Sequence, residues 1–256
     1  MVFDFFKKRR RRKVLEGPFP PEWRDVIRRR CFLYARLDEA RRAEHEGLVR
    51  IFMAEKAFEG CGGLAIDDEI GVTIAAWATL LLLGRETDVF PRLDSVLVYP
   101  TSFRVEHESV VDESGVVVEE EAEMLGESWR TGAIVLSWED IEEDLAHPAD
   151  GLNVILHEFA HQLDDETGEG DGTPHLDSGE AIERWHAVMG REYEQHCRAV
   201  ERGRRTLLDE YGAESPTEFF AVVTEAYFLW PARLKRKHPE LHGLLEGYYV
   251  SIGPER

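Results

Sequence analysis

The sequence predicts an α+β fold, mostly helical with one small sheet. Three observations carry that expectation. Apolar residues recur at helical spacing before about residue 85 and again after about residue 150. Short β-branched runs bounded by Gly, Pro or Ser lie between those two regions, and no regular strand–helix alternation marks a doubly wound parallel sheet.

Taken in order, the chain opens on a basic tail, residues 1–16, whose "KKRRRRK" at 7–13 reads as a solvated charged terminus. "GPFPPEW" at 17–23 separates it from the rest, because Pro20 and Pro21 can start a helix but not continue one. Residues 34–59 place charged and apolar groups at helical spacing until "EGCGG" at 59–63 breaks the pattern. The apolar run Ile70–Leu83 is short for a membrane span and predicts a buried helix. "SVLVYP", "GVVVEE" and "AIVLSW" predict strands. Helices follow at 151–165, 180–202, 216–230 and 239–250, and "DETGEGDGTPHLDSGE" at 165–180 is expected as an acidic surface loop without the spacing of an EF-hand. Residues 17–256 are expected to form one domain, helical to about residue 85, with the catalytic part beyond it.

Charge excludes some partners. The net charge is −20, and without residues 1–13, which hold seven basic residues and Asp4, 24 basic residues face 50 acidic ones, a net −26. Such a body repels nucleic-acid phosphates at long range, so direct nucleic-acid binding is not expected. No apolar segment follows the basic run as a secretory signal would require, and Cys31, Cys61 and Cys197 are odd in number and widely spaced, so a reducing cytoplasm is the expected compartment.

The chemistry concentrates in "NVILHEFAHQLDD", residues 153–165. On an α-helix, positions four apart are separated by about 40° and about 6 Å, so His157 and His161 turn their imidazoles toward one point. Glu158 is rotated by about 100°, which suits it to a water beside a metal rather than to the metal itself. Two imidazoles and a neighbouring carboxylate are what a hydrolytic zinc site requires. Apolar Leu152, Ile155, Leu156, Phe159, Ala160 and Leu163 surround the trio, so its burial needs a compensating partner. The pattern HExxHxxGxxH is absent, since Asp164 and Thr167 occupy its glycine and third-histidine positions. Glu180, Glu183, Glu218 and Glu225 each remain candidates for a third ligand, and "SPTE" at 215–218 also matches a capping box in which Glu218 would bond the cap backbone. Asp164, seven residues after His157, is a candidate to orient a ligand histidine.

"GVTIAAWATLLLLG", "VLVYP", "GESWRTGAIVLSWED", "NVILHEFAHQLD", "DGTP" and "YGAESPTEFFAVVTEAYF" together resemble the Mlc titration factor A family of bacterial zinc peptidases, from about residue 20 nearly to the C-terminus. That family is in turn similar in its core to the glutamate-ligand zincins, including the catalytic domain of anthrax lethal factor. The resemblance implies a zincin-like fold with an HExxH helix and one zinc ion held by His157, His161 and Glu218. It also implies Glu158 as general base and Tyr211 as the group facing the substrate oxyanion. It suggests a zinc-dependent metallopeptidase, aminopeptidase-like, with peptides or proteins as substrates, and it raises an alternative: a regulatory protein that sequesters a transcriptional repressor, hydrolysis being secondary. By weaker analogy with other zincins, strand "AIVLSW" is expected to pair with extended substrate.

Overall fold

The computed structural model describes residues 2–85, 88–101, 132–168 and 170–252. Helices α1 (Val2–Leu15), α2 (Pro21–Arg30) and α3 (Glu39–Glu55) lead into strand β1 (Ala57–Gly60), and α4 (Asp68–Leu80) connects β1 to β2 (Ser95–Tyr99). Strand β3 (Ala133–Ser137) runs directly into α5 (Trp138–Ala146), followed by α6 (Val154–Asp164), α7 (Gly179–Glu201), α8 (Pro216–Leu229), α9 (Pro231–Lys237) and α10 (Pro239–Tyr248). This is the expected α+β class, mostly helical around a small sheet.

Sheet order among the described residues is β1–β2–β3, all parallel, with Phe58 opposite Val96 and Leu97 opposite Val135. Strand β1 occupies residues expected as the end of the preceding helix. Four residues carry too little periodicity to announce themselves, and pairing with β2 decides their conformation. The expected strand "GVVVEE" lies outside the described residues.

The basic segment is a helix laid on α3 rather than a solvated terminus. Arg11 donates twice to Glu55, at 2.8 and 2.6 Å, and pairs with Asp88, which also receives Lys7. Arg50 of α3 donates to the carbonyls of Glu16 and Gly17 just past the C-terminal end of α1. Carboxylates facing the run therefore fix a part of it, while Arg9, Arg10 and Arg12 stay exposed.

Helix α4 is buried on every side from Ile70 to Leu80, as its unbroken apolar sequence requires. Asp67 caps it by accepting from Ile70 N at 2.9 Å, and Trp77 donates its indole N–H to Arg30 O. The core continues through Phe52, Phe90 and Phe159, where the Phe90 and Phe159 rings are 4.8 Å apart. Phe159 thereby anchors the apolar face of α6 to α3, and α6 presents its polar residues away from that anchor toward α8. Among the described residues no helix is long and apolar enough to cross a membrane.

Candidate metal centre

Helix α6 is held at its first turn from three directions. Asn153 accepts from Leu156 N at 2.9 Å as a side-chain cap, Asp144 of α5 accepts from Val154 N at 2.6 Å, and Glu225 of α8 accepts from Asn153 N at 2.5 Å. Carboxylates at a helix N-terminus meet its orphan N–H groups and its positive end. Burial pushes Asp144 up to about 6.

One and two turns on, the His157 and His161 rings lie 4.9 Å apart at 78°. Both turn Nε2 toward the same oxygen, Glu218 Oε2, at 3.0 Å from His157 and 3.3 Å from His161. Among the described residues these three side chains form a group able to hold a metal ion, with ligand atoms within 4.8 Å of one another. Tetrahedral bonds of about 2.1 Å would separate ligand atoms by about 3.4 Å, close to the two Nε2 to Oε2 distances.

Glu218 sits in the first turn of α8, where Ser215 accepts from its backbone N–H at 3.1 Å. Half of the capping-box reading thus holds. Its carboxylate, however, is turned to the two histidines rather than back to the cap. The loop after α6 keeps this turn in place: Thr217 donates to Gly170 O, and Gly172, at φ +84°, lies so close to Pro216 that a Cβ there would sit 2.6 Å from the Pro216 carbonyl oxygen. The described residues of loop 165–180 are therefore largely exposed, but Gly170 and Gly172 are pinned against α8.

Glu225, two helical turns after Glu218 on the same face of α8, is not in the group of three. It accepts from His157 Nδ1 at 2.9 Å and from Asn153 N, so one buried carboxylate fixes both a ring and the start of its helix. Asp164, expected in such a role, accepts instead from Gly172 N at 2.9 Å and organises the loop. Glu180 and Glu183 are exposed on α7, outside the group.

Glu158 is half-buried beside the histidines, and burial raises its pKa despite their opposing influence. Tyr211 projects from a 3₁₀ turn, Glu210–Ala213, whose start is fixed by Asp209 accepting from Tyr211 N. Its ring centroid is 5.8 Å from that of His157, and it is 46% exposed. Burial and the nearby Glu218 push the phenol up to about 12.

Charges within the centre are strongly coupled. Burial disfavours the His157 cation, yet hydrogen bonds to Glu218 and Glu225 push it up to about 10. Burial likewise opposes ionisation of Glu218, but the two histidines bring it down to about 2. The His157 cation offsets the Glu218 carboxylate, while burial raises Glu158 and Glu225. His157 and Tyr211 also line a 440 Å³ cavity, open to solvent, that an extended ligand could enter.

Comparison with known proteins agrees with this chemistry. A family model described as glucose-regulated metallo-peptidase M90 matches residues 5–250. The chain is 39% identical over 242 residues to the uncharacterized protein slr2042 of Synechocystis sp., covering 94% of this chain and 87% of that one. It is 30% identical over 210 residues to Mlc titration factor A of Escherichia coli and of Shigella boydii, covering 80% of this chain and 77% of each relative. The chain belongs to the glucose-regulated metallo-peptidase M90 family, the one in which Mlc titration factor A stands as its relative.

Proposed function

We propose that the protein is a zinc-dependent peptidase in which His157, His161 and Glu218 hold the metal, Glu158 is the general base and Tyr211 faces the substrate oxyanion. The convergence of His157 Nε2 and His161 Nε2 on one Glu218 oxygen carries this reading. Zinc held there would supply Lewis acidity toward water and toward a peptide carbonyl.

The chain's own residues supply the rest. Glu158, whose pKa burial raises, takes a proton from the attacking water and returns it to the leaving amine. Tyr211, protonated far above neutral pH, offers its hydroxyl to the developing oxyanion. Glu225 keeps Nδ1 of His157 as the donating nitrogen, which leaves Nε2 for the metal. In this reading strand β3, at one edge of the described sheet, pairs with extended substrate.

An aminopeptidase-like action on short peptides and a cytoplasmic setting complete the proposal; three free cysteines suit that setting. Digestion of a peptide library by wild type and Glu158→Gln tests it, with free and acetylated N-termini compared. The glutamine variant should retain its zinc and lose at least about 100-fold in turnover. Unchanged turnover would remove Glu158 from the mechanism, and equal cleavage of acetylated peptides would remove the aminopeptidase reading.

A second reading rests on the name of the Escherichia coli relative, a titration factor. Here the chain binds a transcriptional repressor and hydrolysis is secondary. Repressor capture that survives Glu158→Gln unchanged supports it, and absence of any capture by wild type rejects it.

A further inference from the structure

A second concave site lies between the end of α2, the 3₁₀ turn Phe32–Arg36, the end of α5 and the junction of α8 with α9. Its volume is 610 Å³, and none of His157, Glu158 or Tyr211 lines it. Four arginines meet there, Arg29, Arg30, Arg36 and Arg233, on a chain whose net charge is −20.

Two of the four are already engaged. Arg29 pairs with Glu69 at 3.2 Å, and Arg30 with Glu69 at 2.6 Å and with Glu142 at 2.9 Å. Glu142, among the described residues the one carboxylate on the cavity wall, is thereby neutralised. Arg36 and Arg233 differ. Among the described residues neither has a carboxylate partner, and Arg36 Nη1 is buried with no hydrogen-bond acceptor. Each guanidinium instead lies over a ring, Arg36 over Phe32 at 5.5 Å and Arg233 over Trp230 at 4.8 Å. Stacking holds the face of a guanidinium and leaves its in-plane N–H edge for an acceptor. A buried donor without an acceptor is costly, which sets Arg36 apart from the ion-paired Arg29 and Arg30.

We propose that this cavity binds a phosphate-bearing small molecule, its phosphate received by Arg36 and Arg233 and its remaining body lying against Trp230 and Leu229. A carboxylate has two oxygens, which one guanidinium fork satisfies. A phosphate monoester has three terminal oxygens and two negative charges, which suit two forks. The acidic body does not forbid this, because carboxylates beyond a Debye length of about 8 Å are largely screened at physiological salt while the local arginines are not.

Isothermal titration of the full chain with phenyl phosphate, inorganic phosphate and phenol tests the site. One phenyl phosphate should bind per chain, inorganic phosphate more weakly, and phenol not at all. Arg233 is exposed, so Arg233→Gln should fold normally and weaken phenyl phosphate by about tenfold, and the double variant Arg36→Gln, Arg233→Gln should weaken it further. Arg204→Gln with Arg205→Gln, on another surface, and His161→Ala, at the metal centre, should both bind as wild type does. No binding of either phosphate up to about 10 mM would overturn the proposal. So would binding that Arg233→Gln leaves unchanged or that His161→Ala abolishes.

Discussion

Glu225 shows most clearly what a single side chain does in this molecule. It is 4% exposed, lies in a mostly apolar helix, and is retained at the cost of burying a carboxylate because it meets two donors at once. Substituting it by alanine would free the His157 ring and leave the Asn153 N–H without its acceptor. Zinc affinity should fall by about 10- to 100-fold in a chelator competition, and Glu225→Gln, which keeps one acceptor, should recover part of that loss. Equal affinity in all three proteins would mean that the ring is oriented by packing alone. His157, His161 and Glu158 were legible in the sequence because a fixed spacing on one helix determines where side chains point. Glu218 and Glu225 were not separable in that way. Both lie on one face of α8, and only the height of α8 against α6 decides that one reaches Nε2 and the other Nδ1.

At the scale of elements, the site is made by two helices meeting, and each is held in position by features remote from the chemistry. The Phe159 ring, wholly buried against Phe90 and Phe52, sets the back of α6. Phe159→Ala should cost about 3–5 kcal/mol in denaturant unfolding, and a loss below about 1 kcal/mol would show that the aromatic cluster is not what anchors the helix. Ser215 caps α8 one turn before Glu218 is presented, and Ser215→Ala should cost about 1 kcal/mol while weakening metal binding. An unchanged metal affinity would mean that the Gly170 and Gly172 loop contacts suffice to hold that turn. Helix existence was plain from periodicity, and α6, α7 and α8 lie within a few residues of the expected spans. Strand β1 and the docking of α1 were hidden, because one depends on a partner strand and the other on Glu55 and Asp88, both far away in sequence.

The whole molecule carries a titration that local sequence does not announce. His45 is completely buried, its Nε2 donating to Ala76 O at 2.8 Å and its Nδ1 without a partner. Burial brings it down to about 4 from an ordinary 6.5. Between those values the unfolded chain takes up a proton that the folded chain refuses. Stability is therefore full above pH 6.5 and falls as pH drops toward 4, by roughly 3 kcal/mol in all for this one group. Unfolding free energies measured at pH 7 and pH 5 should show the decline, and His45→Gln should reduce it; an identical slope in the variant would assign the loss to other groups. The net charge of −20 is likewise a property of the whole chain, and it says little about a local cavity lined by four arginines.

The central claim is that two imidazoles of α6 and one carboxylate of α8 hold a single metal ion. Elemental analysis of the purified wild type beside His161→Ala and Glu218→Ala tests it most directly. The expected result is one zinc per chain in the wild type and a large loss in both variants whose folds, judged by circular dichroism, are intact. A wild type without bound metal that also takes up none when zinc is added, or variants that retain a full complement, would contradict it.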